Sequence, residues 1–126
     1  MQNVLNTVPG VQFDESRRFW QGCPTISRTA SGILYAGWYT GGTREPSPLS
    51  CNILVRSTDN GDTWSDVILA IASVPEEKIR AIDIQLWMDP SERLWVFWTV
   101  RNDNFVNTSS DHLSVWAMIC ADPEAD

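Results

Sequence analysis

Aliphatic and aromatic stretches of five to eight residues alternate along the chain with polar breaks rich in Gly, Pro, Ser and Asp, a pattern of strands and turns. The first strand is expected at residues 24–28, followed by the turn Ala30-Ser31-Gly32 and strands at 33–40, 51–57 and 66–72. Further strands are expected at 81–88, 94–101 and 113–120, with Asp89-Pro90-Ser91-Glu92 as a turn. The polar stretch 102–112 between the last two reads as a connection. Within strand 81–88, alternation places Asp83 and Gln85 on one face and Ile82, Ile84 and Leu86 on the other.

The pattern repeats. A shift of 60 residues brings Ile26 onto Leu86, Ser31 onto Ser91, Leu34 onto Leu94, Tyr35 onto Trp95 and Trp38 onto Trp98, and also Ile53 onto Leu113 and Val55 onto Val115. Repeats of this length built from short strands read as β-propeller blades, none of which can bury its faces alone. The expected fold is all-β, with about two four-stranded antiparallel blades: residues 23–76 form the first and 77–126 an incomplete second. Residues 1–22 are an N-terminal segment and possible closing strand. With Asp122 in the place of Asp59, the partner of Trp64 would fall at position 127, so the second blade lacks its outer strand. The chain then reads as part of a larger propeller, or as one completed by another copy. In the latter case residues 2–8 of a neighbour would add the missing strand, and three copies would give six blades.

The run Ser57-Thr58-Asp59-Asn60-Gly61-Asp62-Thr63-Trp64 follows the apolar Ile53-Leu54-Val55 and carries a turn mechanism. Asp59 can fold its carboxylate onto the amides of the turn, Gly61 can take positive φ, and Trp64 can return as a buried apolar plug. This Ser-x-Asp-x-Gly-x-Thr-Trp run resembles the Asp-box of sialidases and related BNR-repeat β-propellers. The resemblance implies a propeller, with the box on the turn between the third and fourth strands and away from the catalytic face.

It also directs attention to three stretches. Phe19-Trp20-Gln21-Gly22-Cys23-Pro24 occupies the place of the aromatic-Arg-Ile-Pro motif of sialidases, whose arginine grips the sialic acid carboxylate; here Gly22 stands in that position. Gln21 can hydrogen-bond a sugar hydroxyl but cannot neutralise a carboxylate. Arg80-Ala81-Ile82-Asp83-Ile84 resembles the Arg-x-x-Asp-Pro element, with Ile84 for proline, and implies Asp83 near substrate; otherwise an Arg80 to Asp83 ion pair ties down the strand entrance. The loop from Gly41 to Ser50 corresponds to the connection that carries a substrate-binding Arg and the acid/base Asp. Arg44 and Glu45 are the nearest equivalents, and a carboxylic acid with a raised pKa could protonate a glycosidic oxygen.

Composition narrows the picture. Seven Trp residues suit stacked sheets. A net charge of −7 argues against nucleic acid or an anionic membrane surface as partner, and no stretch approaches the length of a membrane span. No export signal opens the chain, which leaves a cytoplasmic location by default. Cys23, Cys51 and Cys120 are expected as free thiols, His112 as solvent-facing, and neither a metal nor another cofactor is expected. Asn107-Thr108-Ser109 fits a glycosylation sequon only formally. The expected function is therefore a sialidase-like propeller portion that binds or acts on a glycan other than a simple sialoside. Glu45 and Asp83 are its catalytic candidates; Gln21, Arg44, Arg80, Trp20 and Trp87 are its substrate contacts. The alternative is a non-catalytic interaction scaffold, in which the same polar groups only stabilise a channel.

Overall fold

A computed structural model describes residues 4–45, 47, 49–103 and 113–125. Residues 2 and 3, Pro46, Pro48, the 107–109 sequon and His112 lie outside the described residues. The strands are β1 (Val4–Asn6), β2 (Trp20–Arg28), β3 (Leu34–Gly41), β4 (Cys51–Ser57), β5 (Leu69–Ala72), β6 (Ile79–Met88), β7 (Leu94–Asn102) and β8 (Leu113–Cys120). They form two antiparallel sheets, one of five strands in the order β1-β5-β4-β3-β2 and one of three in the order β6-β7-β8. Neither closes into a barrel, and no helix among the described residues is long and apolar enough to cross a membrane.

Each sheet has a front and a rear face. The front of the first sheet carries Tyr35, Gly37, Leu54, Leu69 and Ile71, and packs on the rear of the second, which carries Ile84, Leu94, Val96, Trp98 and Val100. Gly37 is glycine because Ile84 lies on it: a Cβ there would meet the Ile84 Cδ1 at 3.0 Å and the Ile53 carbonyl oxygen at 3.1 Å. The rear of the first sheet forms a smaller cluster of Cys51, Ile53 and Ala70, covered by Phe13 from the segment before β2.

The repeat is visible in the backbone. Residues Cys23 and Asp83 both take positive φ, 50° and 55°, where β2 and β6 bulge opposite Trp38 and Trp98. The turns after them also match: Ile33 N–H bonds the Thr29 hydroxyl and Arg93 N–H the Asp89 carboxylate, both at 3.0 Å. Gly32 and Glu92 hold the same left-handed position in these turns, at φ 104° and 61°.

Four expectations change. The bulge in β6 breaks the alternation, so Ile82, opposite Thr99, faces away from Ile84 and Leu86; the extra residue at Asp83 resets the phase. The third strands correspond at a spacing of 63 residues instead of 60: Ile53 pairs with Trp38, and Trp116, not Leu113, pairs with Trp98. β1 pairs with β5 of its own chain and lies on the first sheet, not the second. Trp64 is 42% exposed rather than buried, its ring lying over Gly61 at the sheet margin.

The turn from Ser57 to Trp64 itself forms as expected. The Asp59 Oδ1 accepts the Thr63 N–H at 2.9 Å and the Ser57 hydroxyl at 2.8 Å, while Oδ2 accepts the Thr63 hydroxyl; Gly61 sits at φ 92°. The Thr63 hydroxyl, then the Thr63 N–H and the Ser57 hydroxyl, stabilise the ionised carboxylate and hold its pKa down at about 2.

Candidate functional site

The edge strands β2 and β6 lie side by side without forming one sheet, and side chains of the first sheet bond the backbone of β6. The bulge leaves the Ile84 N–H facing the first sheet, where the fully buried Asn52 accepts it at 3.2 Å; Leu86 N–H donates to the Thr25 hydroxyl at 3.1 Å. These bonds satisfy strand-edge donors that would otherwise be buried unpaired.

They also set the two bulges against each other. The Cys23 thiol lies within hydrogen-bonding reach of the Asp83 carboxylate, and the charge of Glu45, from the connection after β3, also acts on it. Burial first, then the Asp83 charge and hydrogen bond, then Glu45, push the thiol above its ordinary value. The thiol therefore stays protonated at neutral pH and is a poor nucleophile. Both carboxylates are exposed. What the site offers is two acidic acceptors and, one residue from Glu45, the exposed Arg44 as donor.

The remaining expected residues divide. Arg80 does not pair with Asp83; the extra bulge residue turns Asp83 toward Cys23, and Arg80 instead makes a two-pronged contact with Asp103, Nε to Oδ2 at 2.6 Å and Nη2 to Oδ1 at 3.2 Å. Asp103 also accepts Arg101 Nε at 2.8 Å. The Arg80 hydrogen bonds and charge, with those of Arg101, outweigh burial and hold the Asp103 carboxyl below the usual range. The Tyr39 hydroxyl is buried beside Arg80 and Ser50, and burial raises its pKa. Trp20 packs edge-on against Tyr39 at 4.8 Å, its indole N–H buried without a hydrogen-bond partner. Gln21 lies on the rear face, accepting the Trp38 indole N–H and donating to the Arg18 carbonyl, and so is turned from the acidic pair. Trp87 is at the far end of β6, half exposed and 6.2 Å from Trp95, well away from the chain end where β2 and β6 begin.

Two hollows open at the end of the molecule where β2 and β6 begin. One of about 580 Å³ is lined by Arg17, Arg18, Phe19, Ser50 and Ser73; the other, of about 290 Å³, is lined by Lys78, Arg80, Ser73 and Asp103. Of the expected site residues only Arg80 lines either. Among the described residues, no group of three or more His, Cys, Asp or Glu side chains is placed to hold a metal ion.

Sequence reasoning alone missed the Cys23–Asp83 contact. Its signal was in the repeat: the same 60-residue shift that aligns Trp38 with Trp98 aligns Cys23 with Asp83. No family model matches the chain, and no curated protein matches it.

Proposed function

We propose that the chain forms two neighbouring blades of an Asp-box propeller and that it binds a glycan where the two inner strands meet. The observation that carries this reading is that two exposed carboxylates, Asp83 in one bulge and Glu45 in the connection after β3, both act on the Cys23 thiol of the other bulge. Carboxylates accept hydrogen bonds from sugar hydroxyls, and Arg44 adds a donor fork beside them. Their charge also selects against an anionic sugar. A sialoside carboxylate would meet two acids here, and Gly22 supplies no counter-charge where sialidases have arginine. The ligand is therefore a neutral sugar. Gln21 and Trp87 have no part in the site, and Arg80 is held by Asp103 instead of reaching Asp83.

The Ser57 to Trp64 turn and the repeated bulge support the family reading, and the two carboxylates support the site. Titration of the labelled chain with neutral and sialylated oligosaccharides, followed by amide chemical shifts, tests it. Shifts around Cys23, Asp83 and Glu45 are expected with a neutral sugar only, and Asp83→Asn and Glu45→Gln should each weaken binding about tenfold, the loss of one charged hydrogen bond. Preference for the sialylated ligand, or binding that both variants leave intact, would overturn it.

A further inference from the structure

The front face of the second sheet carries Trp87, Trp95, Phe97, Leu113, Val115 and Ile119. Trp95 and Phe97 stack at 5.6 Å, and Val115 is 73% exposed, Trp87 50% and Leu113 45%. An apolar face of this kind on a folded sheet marks a contact surface. The repeat identifies what fits it. The equivalent face of the first sheet is buried by the rear of the second, so a front face is completed by a rear face.

Among the described residues one rear face is open, that of the first sheet. Segment 10–19 covers only part of it; between Pro24, Ala36, Val55 and Trp64 lies a hollow of about 700 Å³, with Ile26 61% exposed beside it. Size complementarity runs in the matching sense. Where the two sheets of one chain meet, Ile84 projects from the rear face onto Gly37. The counterpart of Gly37 on the exposed front face is Phe97, a projecting ring, and the counterpart of Ile84 on the open rear face is Pro24, which borders the hollow.

We propose that this surface docks a second copy of the chain head to tail, the front of the second sheet of one copy against the rear of the first sheet of the next. Such a contact uses two different patches, so it generates a ring or an open row rather than a two-fold dimer. It depends on the sheet faces alone and stands whether or not a sugar binds.

The test is sedimentation of the full chain with two face variants. Val115→Glu removes the front face and Ile26→Glu the rear; both positions are exposed, and an unfolding midpoint that matches the wild type at the lowest concentration, where the chain is dissociated, shows each variant folded. Leu113→Glu repeats the front-face test should Val115→Glu not fold. The wild-type mass should rise with concentration between about 1 and 100 µM, as association by mass action requires. Each variant should be monomeric alone, and an equimolar mixture should form a one-to-one pair, because each still carries the face the other lacks. A wild-type chain that stays monomeric, a variant that still associates by itself, or a mixture that stays monomeric would overturn the proposal.

Discussion

β4 of the first sheet is buried at every position but Arg56, whereas its counterpart β8 in the second is exposed at every position but Met118 and Cys120. Both are apolar strands paired with a middle strand in equivalent register. What differs is the surroundings: β5 closes the outer edge of β4, the second sheet covers its front and Phe13 reaches its rear, while β8 among the described residues has only β7 beside it. Burial is thus conferred on a strand of this repeat by its neighbours, not by its own composition.

The sharpest way to break the comparison is to truncate a tryptophan on each face of the second sheet. Trp98, 3% exposed at the contact with the first sheet, should cost about 3–5 kcal/mol as Trp98→Ala in urea unfolding. Trp87→Ala, on the opposite face, should cost less than about 1 kcal/mol, the range for surface positions. Equal losses would mean that the front face is already packed.

The next test exchanges size at equivalent positions. Gly37→Ala should destabilise by about 1–3 kcal/mol, because the added methyl must displace Ile84 or the Ile53 carbonyl. Phe97→Ala removes far more mass at the matching place yet should cost no more than about 1 kcal/mol, since no sheet lies over it among the described residues.

A smaller effect separates the two turns. Glu92 holds at φ 61° the position that Gly32 holds at φ 104°. Relief of left-handed strain favours glycine there and unfolded-chain entropy opposes it, so Glu92→Gly should gain about 0.5 kcal/mol and Gly32→Glu should lose about 1 kcal/mol. Thermal unfolding of the two variants gives the signs.

The last effect appears only in acid. The pKa of Asp59 is lowered on folding, so its contribution is fully present above the unfolded-state value near 4 and is lost as pH falls through about 2. Unfolding measured from pH 5 to 2 should show a decline that Asp59→Asn flattens. An identical decline in the variant would remove Asp59 as its source.

The local features of this fold are legible in the sequence because they are chemically local. The Asp59 turn forms from side chains within a few residues of it, and the bounds of β4 and β8 follow from their apolar runs. Features that depend on a distant neighbour are not legible in this way. Cys23 seldom takes positive φ, and Asp83, although of a type enriched there, lies inside an apolar run that reads as unbroken strand, so neither bulge is legible and alternation places Ile82 on the wrong face of β6. A longer connection before β8 moved its counterpart by three residues, which an ungapped shift cannot register. Trp64 has an apolar ring, but its burial needs a surface over it; the ring lies against Gly61 and borders the hollow beside Val55, and it stays 42% exposed. The site shows the same division: the acidic character of Asp83 and Glu45 is plain in the sequence, while their meeting at Cys23 depends on two sheets docking.

That docking is the central claim, and Cys23 reports on it across 60 residues of chain. The direct measurement is site-resolved alkylation of Cys23 as a function of pH, in the native chain and in Asp83→Asn. Because the Asp83 charge and hydrogen bond help to hold the thiol up, their removal should lower its pKa and speed alkylation several-fold near pH 8. A pKa and rate unchanged by Asp83→Asn would mean that the two bulges do not meet, and that the front of the first sheet does not pack on the rear of the second in this register.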